Sequence, residues 1–309
     1  MIRFAFRRLL QTVPIVLAVA MLIFVLFSVI PGSFASSMGE DGRSVIDQQV
    51  MERMNREFGL ADPLWVRFGK YALQLAQLDL GTSFRTRQPV TTVLAGRMWP
   101  TFQLCFAAML LAIAIGVPLG FVAALKPGSF VDSLSMVGAV SGLSLPKFWL
   151  GLLLMYLFAL KLGWLPSFGY GEPRHLVLPA IALGVAPLAL LARTTRAAVL
   201  EIMSADFVRT ARSKGMSERR VVQWHLARNA LVLVLTAVGL QFGSVIGQAV
   251  VVEKLFAWPG LGSLLVDSVT LRDIPVVQGA ILVIVLFFLL VNTLVDILNA
   301  VIDPRIKYS

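Results

Sequence analysis

One lysine, Lys147, stands in an otherwise uncharged apolar run from Ser133 to Leu160. If that run is one helix, Lys147 lies 14 residues past Ser133, about 20 Å along it at 1.5 Å per residue, with Pro146 a place where the path can bend. An ionisable group at that depth in an apolar segment is a functional candidate, and an ammonium there can meet a carboxylate on a passing solute. The alternative is a side chain that reaches back to the interface or pairs locally. A second run, Asn229–Val252, carries Gln241, Ser244 and Gln248 at i, i+3 and i+7, which share one helical face. Gly239, Gly243 and Gly247 recur every fourth residue on roughly the opposite face. Small residues at that spacing let another helix approach closely. Polar side chains are disfavoured against lipid, so their face looks into a cavity or bonds to a neighbouring helix. The expectation is a pore-lining Gln/Ser face and a packing glycine face. Glu253, just past the run, reads as an interfacial charge.

The remaining chemistry is sparse. No G-x-x-x-x-G-K-[ST] phosphate loop, H-E-x-x-H pair or G-x-S-x-G elbow occurs. Cys105 is the single cysteine and lies in an apolar run, so it reads as a small core residue rather than a disulfide or metal ligand. His175 and His225 fall on opposite sides of the membrane in the topology derived below, which prevents a shared metal or dyad. An enzyme built from this chain alone has almost nothing to stand on.

The most informative stretch is Asp206 to Ala230, DFVRTARSKGMSERRVVQWHLARNA. Asp206–Lys214 suits one short helix, with Asp206 placed well for the helix dipole. Gly215 supplies the left-handed residue that stops it. Ser217 can cap a second helix with Glu218 in its first turn. The expected result is an amphipathic knob offering Phe207, Val208 and Ala211 among Arg209, Arg212 and Lys214. The alternative is a solvated basic loop drawn to anionic lipid.

These residues need elements to hold them, and composition says where those elements are. The chain is 58% hydrophobic and 14% charged, against about 25% charged for a soluble domain, so it is an integral membrane protein. Its net charge of +10 gathers beside apolar spans, where it sets orientation, and it does not indicate nucleic acid. Six runs approach the roughly 20 residues a span requires: Leu9–Ile30, Thr101–Leu125, Ser133–Leu160, the short Leu176–Ala192, Asn229–Val252 and Ile274–Val295. The first is too long for a signal-peptide core and reads as a retained anchor. Arg3, Arg7 and Arg8 precede it, and the 193–228 loop holds eight basic residues, against four in loops 161–175 and 253–273 together. Both termini are therefore expected on the cytoplasmic side. Residues 31–99 would form a small external helical subdomain, with one helix opened by Ser44 and Asp47 and running through Phe58. A second, Leu64–Ala76, would start after Pro63, followed by a turn at DLGTS (79–83). Residues 100–309 would form the five-helix core, including the cytoplasmic loop 193–228.

At this point the sequence resembles a family. ADFVRTARSKG followed by RRVVQWHLARNAL is similar to the cytoplasmic loop of ABC importer permeases, matching the E-A-A-x-x-x-G pattern at Ala211 and Gly215. Arg209 and Thr210 stand at the first two positions, so the Glu is missing. Further similarity runs through RRLLQTVP (7–14), IPG (30–32), LDLGTS (78–83), LPKFWLGLLL (145–154), LGWLP (162–166), LPAIALG (178–184), VVEKLFAWPGLG (251–262), LVDSVTLRDIPVVQ (265–278) and DPRI (303–306). The resemblance is to the first membrane subunit of dipeptide, oligopeptide, nickel and glutathione importers. It implies an all-α, six-span type I importer permease fold in the bacterial inner membrane. It implies a homologous second permease, two cytoplasmic ATPases that bind ATP and Mg, and an external substrate-binding protein. This chain itself would bind no cofactor. The stretch around Asp206, Phe207, Arg209, Thr210, Ala211, Lys214 and Gly215 would be the helix that docks on an ATPase. Gln241, Ser244, Gln248 and Lys147 would line the path of a small peptide, with glutathione or a nickel complex as alternatives. A solitary ion-coupled transporter would need carboxylates within its spans. Asp296 and Asp303 lie at the cytoplasmic end of the last one, not within it. An intramembrane protease would need a nucleophile and base that face each other, and none do.

Overall fold

A computed structural model describes residues 2–29 and 63–302. Among these residues ten helices form: α1 (Ile2–Val29), α2 (Leu64–Ala76), α3 (Val90–Leu125), α4 (Phe130–Ser144), α5 (Lys147–Lys161), α6 (Pro173–Met203), α7 (Asp206–Ser213), α8 (Glu218–Leu255), α9 (Leu261–Thr270) and α10 (Ile274–Ile302). The one β feature among them is an isolated antiparallel bridge between Thr82 and Pro89. α1, α3, α6, α8 and α10 are each long and apolar enough to cross a membrane, and α4 with α5 forms a broken sixth candidate. The expected helix 44–58 lies outside the described residues.

α6 is the central strut and packs against α3, α4, α5 and α8, while α10 lies against α8 and α1. The close approach of α3 to α6 depends on two glycines. A Cβ on Gly116 would come within 2.6 Å of the Leu188 carbonyl oxygen, and one on Gly120 within 2.2 Å of that of Ala192. The main core gathers Leu104, Cys105, Met109, Leu183, Val245 and Phe256. The expected packing role of Cys105 holds, since it is fully buried.

Four expectations about the spans are corrected. The run Ser133–Leu160 is not one helix: α4 and α5 meet at 105°. Leu145 is extended (φ −80°, ψ 126°), as a residue before proline prefers, and Pro146 caps the new helix. Helix α3 starts at Val90 rather than Thr101, so the last ten residues of the supposed external subdomain belong to it. It also passes Gly116 and Pro118 without ending, through a π turn at Ala112–Gly116. The fourth span does not stop at Ala192. α6 runs 31 residues to Met203, keeping Pro179 and Pro187 inside it. Its extension is held because Arg196 grips Asp132 of α4 with two hydrogen bonds, Nη2 to Oδ2 at 2.8 Å, while Val199 and Ile202 stay buried. Most of the supposed loop 193–228 is therefore helical, as are Leu261–Thr270 in the supposed short loop 253–273.

The segment between α2 and α3 follows its turn signals. Leu78 and Gly81 take positive φ (59° and 79°), and the Gly81 N–H donates to Asp79 Oδ1 at 2.9 Å. Ser83 is buried and donates to the buried Asp273 carboxylate, which also accepts from the Phe84 N–H at 3.1 Å. That tie joins the segment to the base of α10.

Candidate functional site

The Asp206–Ala230 stretch forms the expected helix, turn and helix. α7 stops at Ser213, and Gly215 takes φ 74°, which a β-substituted residue adopts only at a cost. Its N–H donates to the Arg212 carbonyl at 2.9 Å, and Met216 N–H to that of Ala211 at 3.2 Å, closing the end of the helix. Ser217 occupies the cap position of α8, but its hydroxyl makes no capping bond. Glu218 is instead held by Arg212, Nε to Oε1 at 2.8 Å, across the turn.

The helix shows two faces. Val208 and Ala211 turn inward onto Ala124, Val199, Val221 and Leu226, so both anchor the turn rather than forming part of an outward knob, which corrects that expectation. Asp206, Phe207, Arg209, Thr210, Lys214 and Gly215 lie on the exposed side, with the Asp206 and Arg209 side chains 98% and 79% exposed. Phe207 leans on the His225 ring at 6.1 Å between centroids, which ties α7 to the start of α8. A greasy ring amid polar groups on a rigid, well-supported turn suits docking against another protein.

Helix α8 carries the remaining predicted residues. Gly239 and Gly243 face α10: a Cβ would meet Val295 at 1.9 Å and Phe288 at 2.8 Å respectively. Gly247 departs from the expected stripe, because open space surrounds it and it is exposed. Gln248 is exposed, while Gln241 and Ser244 are half-buried, and Ser244 Oγ donates to its own helix at the Gln241 carbonyl, 2.9 Å. Lys147 is far from these in chain order and sits at the first turn of α5, half-buried. The 20 Å depth inferred from a straight helix fails with the break at Pro146. Four residues on, Gly151 packs beneath Leu255 and Phe256 at the end of α8, a Cβ there meeting Leu255 at 2.4 Å.

The residue sequence reasoning misplaced is Glu253. It is fully buried rather than interfacial. Its carboxylate accepts from the Thr101 hydroxyl at 2.6 Å and from the Ser263 N–H at 3.0 Å, and Thr101 Oγ1 accepts in turn from the Leu261 N–H at 2.8 Å. The chain between wraps the carboxylate so closely that a Cβ on Gly260 would fall 2.2 Å from Oε1. The Trp258 indole N–H completes the closure, donating to the Pro100 carbonyl at 2.8 Å. The signal in the sequence was Gly260 and Gly262 following an acid, but the partner Thr101 is 152 residues away and could not be read from it.

Two family profiles divide the chain. The profile described as "Binding-prot-dependent transport system membrane comp, N-term" matches residues 1–105, and "Binding-protein-dependent transport system inner membrane component" matches 116–308. The chain belongs to the binding-protein-dependent ABC importer permeases. It is 43% identical over the full length of both chains to the "Glutathione transport system permease protein GsiC" of Escherichia coli (strain K12). It is 42% identical, again over both full lengths, to the protein of that name from Salmonella typhimurium (strain LT2). Among solved structures, the MetNI methionine ABC transporter in inward-facing conformations aligns with TM-score 0.58 at 18% identity, covering 68% of this chain and 96% of that one. An amino acid ABC transporter with histidines aligns with TM-score 0.56 at 17% identity, covering 68% and 94%. Those likenesses establish the permease fold. This permease subunit is not an enzyme, and ATP hydrolysis in such importers is done by partner ATPases.

Proposed function

We propose that this permease forms half of the translocation path for glutathione, a tripeptide anion, rather than for dipeptides and oligopeptides at large. The identity to proteins named as glutathione permeases over the whole chain supports that choice. Six crossings with both termini in the cytoplasm of a bacterial inner membrane fit the five long apolar helices and the broken pair. A homologous second permease, two ATPases carrying ATP and Mg, and an external binding protein would complete the machine.

The observation that carries the mechanism is the exposed turn Asp206–Gly215 on its own apolar cluster. Asp206, Phe207, Arg209, Thr210, Lys214 and Gly215 would meet the ATPase, and Ala211 would hold the turn to the spans. Lys147 and Gln248 would face the path, with Gln241 and Ser244 beside it, an ammonium and amides suited to a carboxylate-bearing solute. The test is reconstitution of the co-expressed complex in proteoliposomes with the binding protein and labelled glutathione. ATP-dependent uptake, competed by excess glutathione and not by dipeptides, is expected. Competition by dipeptides alone would overturn the substrate, and a chain that purifies without ATPases would overturn the assembly.

A further inference from the structure

Helix α8 is one continuous helix with a π-helical stretch at Val221–Ala227. It begins at Glu218, two residues past the Met216 that closes the 206–215 turn, and spans 38 residues to Leu255. At 1.5 Å per residue that is roughly 55 Å. The turn proposed to meet the motor and the buried Glu253 therefore occupy opposite ends of one continuous element. Glu253 is bound to two further elements, to α3 through the Thr101 hydroxyl and to the first turn of α9 through the Ser263 N–H.

The energetics make this junction stiff. A buried carboxylate is costly unless hydrogen bonds satisfy it. No cation lies within ion-pair distance of Glu253 among the described residues. At close range its charge is met by the Thr101 hydroxyl and by the amide end of the ten-residue helix α9, the end that favours anions, with the Arg97 guanidinium acting from farther off. Thr101 is bifunctional: it donates to Glu253 and accepts from Leu261, so its loss frees a carboxylate oxygen and an amide together. Charge-assisted bonds of this kind are roughly twice as strong as neutral ones.

We propose that Thr101 and Glu253 are positioning residues that clasp α9 to the far end of α8, so that displacement of the motor-side turn is delivered to α9. Without the clasp, α8 still moves, but α9 no longer follows it. The pair touches neither nucleotide nor solute.

The test compares Thr101→Val, which keeps the shape and removes the hydroxyl, with Thr101→Ser, which retains it. The full complex in nanodiscs is measured by hydrogen exchange, nucleotide-free and trapped with ATP and vanadate. In the parent, trapping should change exchange both at 206–215 and at 261–270. In Thr101→Val the change at 206–215 should persist while that at 261–270 falls about fivefold or more, the lower end of typical coupling between sites. Thr101→Ser should restore it. An unaltered response of 261–270 in the Val variant, or in the parent no response there at all, overturns the proposal. So does loss at both ends together, because the defect would then be general, and so does failure of the Ser variant to restore the response. None of these outcomes depends on which solute is carried.

Discussion

At one end of α8 the chain turns in the open, around Gly215; at the other it turns around the buried carboxylate of Glu253. Both turns use glycine, for opposite reasons. Gly215 needs its positive φ, and nothing lies within 4 Å of where a side chain would begin. Gly260 has an extended backbone (φ −96°, ψ −176°) that any residue adopts, and what it needs is the absence of a Cβ beside Glu253. The open turn is bound to its own protein by one apolar face and leaves charges outward. The closed turn holds the Glu253 carboxylate and the Trp258 indole N–H in internal hydrogen bonds. An exposed, locally fixed turn suits contact with another subunit, whereas a closed one suits transmission of force within a subunit.

The sharpest way to break that contrast is the same substitution at both ends. Gly260→Val should displace the buried carboxylate and cost on the order of 3 kcal/mol, as overpacking a filled site does. The amount of assembled complex recovered by size exclusion should fall severalfold, and a normal yield would remove the closed description. Next in size is Asp132→Asn. It weakens the two-bond grip of Arg196 that holds the extended end of α6 to α4, and the unfolding midpoint of the complex should drop by a few degrees in a thermal scan. A third experiment sharpens the path assignment on α8. In a Cys105→Ala background, cysteine at Gln248 or Gly247 should react with a water-soluble thiol reagent, and cysteine at Gly243, packed against Phe288, should not. Equal labelling of all three would undo the two-faced helix. The smallest effect belongs to Arg212→Gln. Its partner Glu218 is well exposed, and such surface pairs contribute less than about 1 kcal/mol, so stability should be nearly unchanged.

What the sequence made legible was local. The α7–Gly215–α8 turn, the Leu64–Ala76 helix after Pro63 and the packing role of Gly239 and Gly243 all follow from capping, proline and small-residue rules that act within a few residues. What it hid was set by contacts distant in the chain. The extension of α6 past Arg193 depends on Asp132, 64 residues earlier, which turns an apparent loop charge into an anchor. Ala211 reads as the centre of an outward knob until the cluster of Val199, Val221 and Leu226 places it inward. The straight third span failed for a local reason that was visible, Pro146, but hydrophobicity continuing on both sides outweighed it. Glu253 was hidden because Thr101 and Ser263 come to it from two other helices.

The central claim is that the Gly215 turn passes the motor's motion into this permease, and solute moved per ATP hydrolysed tests it most directly. The measurement uses the reconstituted complex with labelled glutathione, comparing the parent with Gly215→Val and Gly215→Asn. Asn tolerates the left-handed conformation and a β-branched residue does not. The Val variant should assemble normally, because the surroundings of residue 215 are open, and should hydrolyse ATP while its transport ratio falls about tenfold, with Asn close to the parent. A Val variant with the parent's ratio would contradict the account.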